Sequence, residues 1–301
     1  MAKKISIGSW AYAFGPYEDN PIDLDTVIRR LGELEFDGIE LCGFPPHATP
    51  DDYPTPASRR ELADKIDSHG LGISGYAANF MDCPPGLPDA EQGDAYVKLF
   101  DKNVQFCVDV GSPAIRVDTV SPPPSPEAVS YDEAWARIVK LWTKCAEMAQ
   151  QAGIKMVWEF EPGFAFNKPS EIVKLVNDVG HPNFSTLYDS CHAHMVSVIA
   201  ARQSQPKETL PGGAVELAQK LSGHIGHVHL IDSDNTLHGD ETSTHAPFGQ
   251  GVLDFDQIMP AIEAAGYDSD WWAVDLCFWP QAWEATEAAK KFVDQLNEKY
   301  G

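Results

Sequence analysis

Short apolar runs alternate with longer stretches of helical periodicity along the whole chain. Runs of about six residues rich in β-branched and aromatic side chains are typical of strands, whereas apolar positions three and four apart are typical of helices. The predicted strands are Ile5–Tyr12, Gly38–Gly43, Ile73–Ala78, Ala114–Thr119, Lys155–Phe160, Phe184–Asp189, Ile225–Asp232 and Trp271–Leu276. The predicted helices are Leu24–Leu34, Ala57–His69, Asp94–Val110, Tyr131–Ala152, Glu171–Val179, Phe255–Ala265 and Gln281–Lys299.

Several helix ends carry recognisable sequence signals. Ser130 followed by Glu133 fits a capping box, and Pro169 fits the first turn of a helix. Glycines that can adopt a left-handed conformation follow three of the predicted helices, at Gly70, Gly153 and Gly266. These signals support the helical assignment independently of the apolar pattern.

Eight strand–helix units in alternation predict a parallel sheet, because parallel neighbours need a crossover connection. Eight such units close most naturally into an α/β (β/α)8 TIM barrel, so we expect one single domain over residues 1–301. A doubly wound open sheet is the alternative, but the first predicted strand is followed by no G-x-G-x-x-G turn.

In such a barrel, the loops after the strands form the face that carries the active site. Four of these loops are long and rich in proline or polar residues: Phe44–Thr55, Asp82–Asp89, Val120–Ser130 and Ser233–Gly251. The polar segment Arg202–Gly213 is expected to be an exposed excursion after the sixth strand.

Composition limits the class of partner. Acidic residues number 45 against 22 basic ones, which gives a net charge of −23 and speaks against nucleic acid and anionic membrane surfaces. The six cysteines are scattered, the N-terminus has no continuous apolar signal region, and no apolar run approaches the roughly 18 residues of a membrane span. We therefore expect a cytoplasmic protein.

Four consecutive predicted strands each contain, near their end, a side chain that can bind a cation: Glu159, Asp189, His229 and Asp275. Polar groups set in runs this apolar are costly to bury unless they are paired or metal-bound. Neighbouring barrel strands lie about 4.8 Å apart, so the four can converge near the axis. Three carboxylates and one imidazole suit one divalent cation, with Mn²⁺ favoured and Mg²⁺, Co²⁺ or Zn²⁺ as alternatives.

Side-chain alternation leaves part of this ligand choice open. Glu159 and Glu161 share a face of the fifth strand, so direction alone does not separate them. His227 and His229 share a face of the seventh strand in the same way, which leaves one of them for a supporting role or a deeper layer.

The motifs resemble those of the xylose isomerase-like sugar phosphate isomerase/epimerase superfamily, which includes ketose 3-epimerases, hydroxypyruvate isomerase and, more distantly, endonuclease IV. The resemblance covers nearly the whole chain, and the motifs are specific for the superfamily in their order rather than for one reaction. They are Gly38-Ile39-Glu40-Leu41, Trp158-Glu159-Phe160, Asp189-Ser190-Cys191-His192, Val228-His229-Leu230-Ile231-Asp232 and Phe248-Gly249-Gln250-Gly251.

The resemblance implies roles for individual residues. Glu159, Asp189 and His229 match metal ligands, and Asp275 stands where the superfamily has a final Glu. His192 matches the histidine that contacts substrate. In the ketose epimerases the first and last ligands also transfer the proton, so the expected catalytic residues are Glu159, His192 and Asp275. Aspartate is one methylene shorter than glutamate, so the same proton relay does not follow automatically.

The other strand ends and the long loop after strand seven are expected to shape a sugar pocket. Aromatic faces stack on the C–H surfaces of sugars, and polar side chains fix their hydroxyl groups. Phe278 and Trp279 both follow the eighth strand. The expected substrate-binding residues are Trp10, Tyr12, Glu40, Arg116, His192, His245 and Trp279.

A cation held at this site would polarise a carbonyl and favour an enediolate, which predicts an isomerase or epimerase of a small sugar or keto-sugar. The alternative is a lyase that cleaves an oxidised (3-keto) sugar or glycoside through the same enolate. Asp275 favours that alternative, and so do Asn235 and Leu237, which lie where those epimerases carry a substrate-binding Arg.

Two further alternatives are less favoured. An endonuclease IV-like phosphodiesterase needs a basic DNA face, which a net charge of −23 opposes. A non-catalytic sugar-binding protein on the same fold also fits the pattern, since fold does not imply activity. The resemblance further implies a homodimer or homotetramer.

Overall fold

The computed structural model describes residues 2–86, 93–120, 129–239 and 241–300. Eight parallel strands form the barrel wall: β1 (Lys4–Ile7), β2 (Gly38–Cys42), β3 (Gly72–Ala77), β4 (Ala114–Val117), β5 (Lys155–Glu159), β6 (Phe184–Asp189), β7 (Ile225–Leu230) and β10 (Trp271–Val274). A separate antiparallel hairpin, β8 (Asp232–His238) and β9 (Thr242–Ala246), follows the seventh barrel strand.

The strands lie in the order β1-β10-β7-β6-β5-β4-β3-β2, and a parallel bridge between Gly8 and Glu40 joins the two ends. The predicted TIM barrel is therefore confirmed, and the open-sheet alternative is excluded because its two edges would not meet. All eight strands point the same way, so their carboxyl ends gather on one face.

Helices surround the barrel. They are α1 (Leu24–Glu33), α2 (Pro56–Ser68), α3 (Asp94–Val110), α4 (Tyr131–Gln151), α5 (Pro169–Val179), α6 (Ser190–His194), α7 (Gly213–Lys220), α8 (Phe255–Ala264) and α9 (Ala282–Tyr300). A π-helical turn, Met195–Ile199, continues α6.

The local end signals are confirmed. Ser130 and Glu133 form the capping box of α4, and Pro169 stands at the start of α5. The glycines after α2, α4 and α8 have φ values of +76°, +74° and +86°, which a side chain with a Cβ rarely adopts; they are Gly70, Gly153 and Gly266. Local chemistry therefore sets these boundaries without help from distant contacts.

Two sequence predictions about boundaries were wrong. The first strand ends at Ile7 rather than Tyr12, because Ser9–Tyr12 winds into a 3₁₀ turn in which Ala13 N–H donates to the Trp10 carbonyl at 3.0 Å. Apolar residues continue through this turn, so the pattern resembles a longer strand.

The segment Ser233–Gly251 is not wholly a loop, because most of it belongs to the β8–β9 hairpin. The segment is polar in composition, so the sequence pattern did not predict its two strands. They pair through backbone contacts and through a side-chain hydrogen bond of 2.9 Å between Thr236 and Thr244. The buried positions of the hairpin include the polar residues Ser233, Ser243 and His245, so an apolar alternation is absent and periodicity missed it.

The other predicted loops are described in part. Asp82–Asp89 and Val120–Ser130 extend outside the described residues over 87–89 and 121–128. Within Arg202–Gly213, the stretch 204–207 is exposed, as expected for an excursion. Among the described residues, no helix is long and apolar enough to cross a membrane.

The hydrophobic core lies between the barrel wall and the helices. Its largest fully buried side chains include Trp142 of α4, Trp158 of β5 and Phe100 of α3. Phe100 stacks near Phe80 with ring centroids 6.3 Å apart. This layer holds the strands in place and leaves their carboxyl ends available for polar side chains.

We expect Phe100→Ala to lower the free energy of unfolding by about 3–5 kcal/mol, because it leaves a cavity in this layer. The control is Val108→Ala on the same helix, where the side chain is 44% exposed and the change should stay within about 0.5 kcal/mol. Equilibrium unfolding in guanidinium chloride measures both. Similar losses for the two variants would contradict the described packing of α3.

Candidate metal centre and its pocket

The structure brings together the four side chains predicted as ligands. One ligand atom from each of Glu159, Asp189, His229 and Asp275 lies within 4.8 Å of those of the other three, and all four residues are buried. His229 Nδ1 lies 3.0 Å from Glu159 Oε1 and 3.5 Å from Asp275 Oδ2. Consecutive barrel strands carry them, which explains the convergence.

Asp189 and Asp275 are held by bonds that leave oxygen atoms free to face the cluster. Asp189 Oδ1 caps α6 by accepting from His192 N–H at 2.7 Å, while its Oδ2 is buried with no hydrogen-bond partner among the described residues. Asp275 Oδ1 accepts from Trp10 Nε1 at 2.9 Å and from Cys277 N–H at 2.8 Å. A buried, unpartnered carboxylate oxygen beside an imidazole and two further carboxylates fits a divalent cation.

A deeper layer decides between the two histidines of β7. Glu40 Oε2 lies 3.1 Å from His229 Nε2 and 2.8 Å from His227 Nε2, and Glu40 is 1% exposed. With its Nε2 turned to Glu40, His229 presents Nδ1 to the carboxylate cluster. His227 lies one layer below and supports Glu40.

The two glutamates of β5 differ in their other partners, although Arg116 contacts both. Its Nε forms an ion pair with Glu159 Oε2, while its other nitrogens lie 3.1 Å from Asp118 Oδ2 and 3.5 Å from Glu161 Oε1. Glu159 thus points to the cluster on one side and to Arg116 on the other, whereas Glu161 reaches Thr242 on the hairpin. Three carboxylates engage this single guanidinium.

Burial and charge move the pKa values of these carboxyl groups in opposite directions. Burial alone would raise the pKa of Glu159, but the positive charges of Arg116 and His229 outweigh it and lower that pKa to about 2. Burial raises the pKa of Glu161 to about 7, even though Arg116 is nearby. Two carboxyl groups two residues apart therefore differ in protonation near neutrality.

Two more imidazoles lie beside the cluster, His192 of α6 and His245 of the hairpin. His192 Nδ1 bonds Ser243 Oγ at 2.8 Å, and its ring centroid lies 4.8 Å from that of His245. His245 Nδ1 lies 3.3 Å from Asp275 Oδ1, and its Nε2 lies 4.0 Å from Asp189 Oδ1. His245 therefore spans the gap between two of the candidate ligands.

The pKa values of the two imidazoles diverge. Burial and the charge of His245 lower the pKa of His192 to about 3, so His192 is neutral. Burial also opposes a charge on His245, but the carboxylates Asp275 and Asp189 outweigh it and raise the pKa to about 9. In the metal-free protein, His245 thus supplies positive charge to an acidic cluster.

A pocket of about 490 Å³ opens above the cluster on the carboxyl face of the barrel. Glu159 and Asp275 line it, and so do four of the seven residues predicted to bind substrate: Trp10, Arg116, His192 and His245. Glu40 lies beneath the cluster and, within the part of the chain that the structure describes, its side chain bonds to the two histidines described above.

Tyr12 and Trp279 were predicted as substrate-binding residues, but they lie outside the described pocket lining. The 3₁₀ turn after β1 directs Tyr12 into the core, where its hydroxyl lies 2.7 Å from Thr286 of α9. Trp279 packs partly buried against the core, and Phe278 lines the pocket in its place. Phe278 has a φ of +62°, so the chain reverses there.

Sequence reasoning missed several pocket residues. Phe14 and Phe44 follow β1 and β2 within a few positions, and Thr242 comes from the hairpin that was predicted as a loop. Glu161 lines the pocket beside Glu159. Phe14 and Phe44 could have been predicted as pocket residues, because each is an aromatic residue that follows a strand. The pattern of apolar and polar positions gave no indication that Thr242 lines the pocket.

Comparison with known proteins gives distant relatives. Fructoselysine 3-epimerase of Shigella flexneri is 21% identical over 264 residues, which are 82% of this chain and 83% of that protein. Inosose dehydratase of Geobacillus thermodenitrificans is 22% identical over 271 residues, 83% of this chain and 85% of that protein. A crystal structure of the IOLI protein with a bound zinc atom has a TM-score of 0.73 at 19% identity and covers 99% of each chain.

These similarities agree with the barrel described above. The family model for the xylose isomerase-like TIM barrel matches residues 28–296, which is most of the chain. The match includes the strands that carry Glu159, Asp189, His229 and Asp275. The chain belongs to the xylose isomerase-like TIM barrel family.

Proposed function

We propose that this protein is a divalent-metal-dependent isomerase or epimerase of a sugar or keto-sugar. The observation that carries the proposal is the group of three carboxylates and one imidazole whose ligand atoms lie within 4.8 Å of one another, with Glu159 and Asp275 of that group lining a pocket. The named activities of the relatives, a 3-epimerase and a dehydratase, support chemistry next to a carbonyl.

One divalent cation is the proposed cofactor, with Mn²⁺ favoured because oxygen donors outnumber nitrogen donors three to one. Zn²⁺ is the main alternative, since the IOLI protein holds a zinc atom on the same fold. A bound divalent cation supplies Lewis-acid polarisation of a carbonyl and its neighbouring hydroxyl.

The protein's own groups handle the proton. Glu159 ends β5 and Asp275 follows β10, and two strands, β6 and β7, separate them in the barrel. Their carboxylates therefore approach a bound sugar from different sides of the floor, as a base and an acid must for a change of configuration. His192, neutral and held by Ser243, is placed to bind a sugar hydroxyl.

The second candidate is a lyase acting on an oxidised sugar, and the position of His245 favours it. Removal of the proton beside the carbonyl would then break a β C–O bond, and the departing oxygen would take a proton. His245 lies 3.3 Å from Asp275 and lines the pocket, so its imidazole can donate that proton. The inosose dehydratase relative supports an elimination of this kind.

Incubation in D₂O with ketohexoses and 3-keto-glucosides separates the two reactions. An isomerase or epimerase gives an isomer of the substrate with deuterium at the carbon beside the carbonyl, whereas a lyase gives two fragments or loses water. We expect isomeric products, detected by NMR and mass spectrometry. We expect His245→Gln to slow elimination by about 10²–10⁴-fold if elimination occurs, with a smaller effect on exchange.

The control for that variant is His194→Gln, since His194 bonds Asn235 on the same hairpin outside the pocket. Fragment release as the main product would replace the isomerase proposal with the lyase proposal. Absence of both exchange and cleavage across the panel, with metal bound, would contradict both.

Metal binding is tested through stability. Mn²⁺ at 100 times its dissociation constant should raise the free energy of unfolding by about 2.7 kcal/mol, measured as an increase in Tm that EDTA reverses. Asp189→Asn should abolish the increase, because it removes the charge while asparagine still caps α6. The matched control is Asp254→Asn at the cap of α8. An unchanged increase in Asp189→Asn would contradict the site.

The role of Glu40 is tested by metal affinity. Glu40→Ala removes the oxygen that both β7 histidines face, so His229 loses its fixed orientation and Mn²⁺ affinity should fall about 10–100-fold. Glu40→Gln keeps an acceptor oxygen and should lose less. Titration calorimetry measures the affinity, with exposed Glu61→Ala as the control and circular dichroism to verify folding. Equal affinity for all variants would contradict this role.

Two expectations about the whole protein remain proposals. We propose a cytoplasmic location, in keeping with the buried thiols of Cys42, Cys107, Cys145, Cys191 and Cys277. We also propose a homodimer or homotetramer, which sedimentation velocity would determine.

A further inference from the structure

The pocket has an apolar wall that the proposed proton chemistry does not use. We define this aromatic wall as Trp10, Phe14, Phe44 and Phe278. Together with small neighbours these side chains form a cluster separate from the barrel core, and all four line the pocket. Apolar and aromatic side chains that line a pocket are typical of ligand-binding sites.

The rings of the wall are positioned by one another. Phe14 meets Phe44 edge to face at 5.2 Å and lies 6.4 Å from the Phe278 ring. Phe278 holds its left-handed φ of +62°, which bulky residues adopt only where packing enforces it. Gly15 leaves the room it needs, since a Cβ there would lie 2.7 Å from the Phe278 ring. The three phenylalanines are half-buried and line the pocket, and the His238 ring stacks on Phe278 with ring centroids 4.4 Å apart.

The wall begins directly at the candidate metal centre. Trp10 donates its indole N–H to Asp275, and the backbone N–H of Cys277, next to Phe278, donates to the same oxygen. A sugar bound over the cluster therefore has one edge against carboxylates and the other against aromatic rings. A substituent on that second edge would leave water and contact the wall.

The charge of the pocket limits what that substituent can be. Five carboxyl groups line the pocket against two arginines, Arg116 and Arg202. Arg116 is engaged by three carboxylates. A phosphate or carboxylate substituent would lose its hydration against the aromatic rings of the wall, whereas a neutral one would not.

We propose that the substrate is a keto-sugar glycoside whose neutral, planar aromatic aglycone lies against the aromatic wall. This inference rests on the proposed function for the sugar part and adds the class of the substituent. The pocket volume of about 490 Å³ lies in the range of roughly 300–1,000 Å³ that buries drug-sized ligands. A free monosaccharide at the cluster leaves the wall in contact with water.

The test compares phenyl β-D-glucoside with methyl β-D-glucoside, neither of which carries the reactive carbonyl. Titration calorimetry on the Mn²⁺-loaded protein should show the phenyl glycoside binding about 10–50-fold more tightly, because its ring removes apolar surface from water. Phe44→Ala should reduce this preference severalfold, because it weakens binding of the phenyl glycoside more than binding of the methyl glycoside. The control is Phe292→Ala, a half-buried ring stacked on Phe248 away from the pocket.

Equal affinity for the two glycosides, or no binding of either, would overturn the inference even if Phe44→Ala failed to fold. The inference would also be overturned if Phe44→Ala left the preference for the phenyl glycoside unchanged while Phe292→Ala reduced that preference. Repeating the comparison after EDTA treatment separates this inference from the proposed function. The phenyl glycoside could still bind more tightly than the methyl glycoside in a protein that binds no metal and shows no turnover. That result would support the aromatic wall as a binding surface and contradict the metal-dependent isomerase.

Discussion

Electrostatic repulsion among buried carboxylates is the constraint on which the site depends. Glu159, Asp189 and Asp275 are each less than 5% exposed and converge on one point. Such a group is unfavourable in a low-dielectric interior unless positive charge compensates it. Arg116 and His229 provide part of that charge, and the oxygen of Asp189 that no described residue satisfies leaves room for a cation.

The barrel can hold these carboxylates together because the hydrophobic core between its wall and the helices fixes the strands in place. Hydrogen bonds between parallel strands set the spacing of the ligands, and Glu40 sets the orientation of His229 from below. The β8–β9 hairpin then covers the cluster from above, with His245 beside Asp275 and Thr242 bonded to Glu161. The barrel strands below and the β8–β9 hairpin above thus hold the polar side chains in a preorganised arrangement.

Two chemically different surfaces meet at Asp275. One carries carboxylates and imidazoles suited to proton transfer beside a carbonyl, and the other carries the rings of Trp10, Phe14, Phe44 and Phe278. The first surface is consistent with the family, and the second bears on the kind of substituent that we propose the substrate carries. The type of reaction and the choice of substrate therefore depend on different residues, so substitutions can change one property without the other.

The sequence by itself determined the barrel, most strand bounds, the helix caps and the four converging side chains, because periodicity and strand ends encode them locally. Tertiary structure decided which of two residues on the same face joins the cluster: Glu159 meets His229, whereas Glu161 bonds Thr242 and His227 bonds Glu40. It also turned Tyr12 into the core and formed the hairpin. These outcomes depend on contacts between residues far apart in the chain, which no local pattern of apolar and polar positions contains.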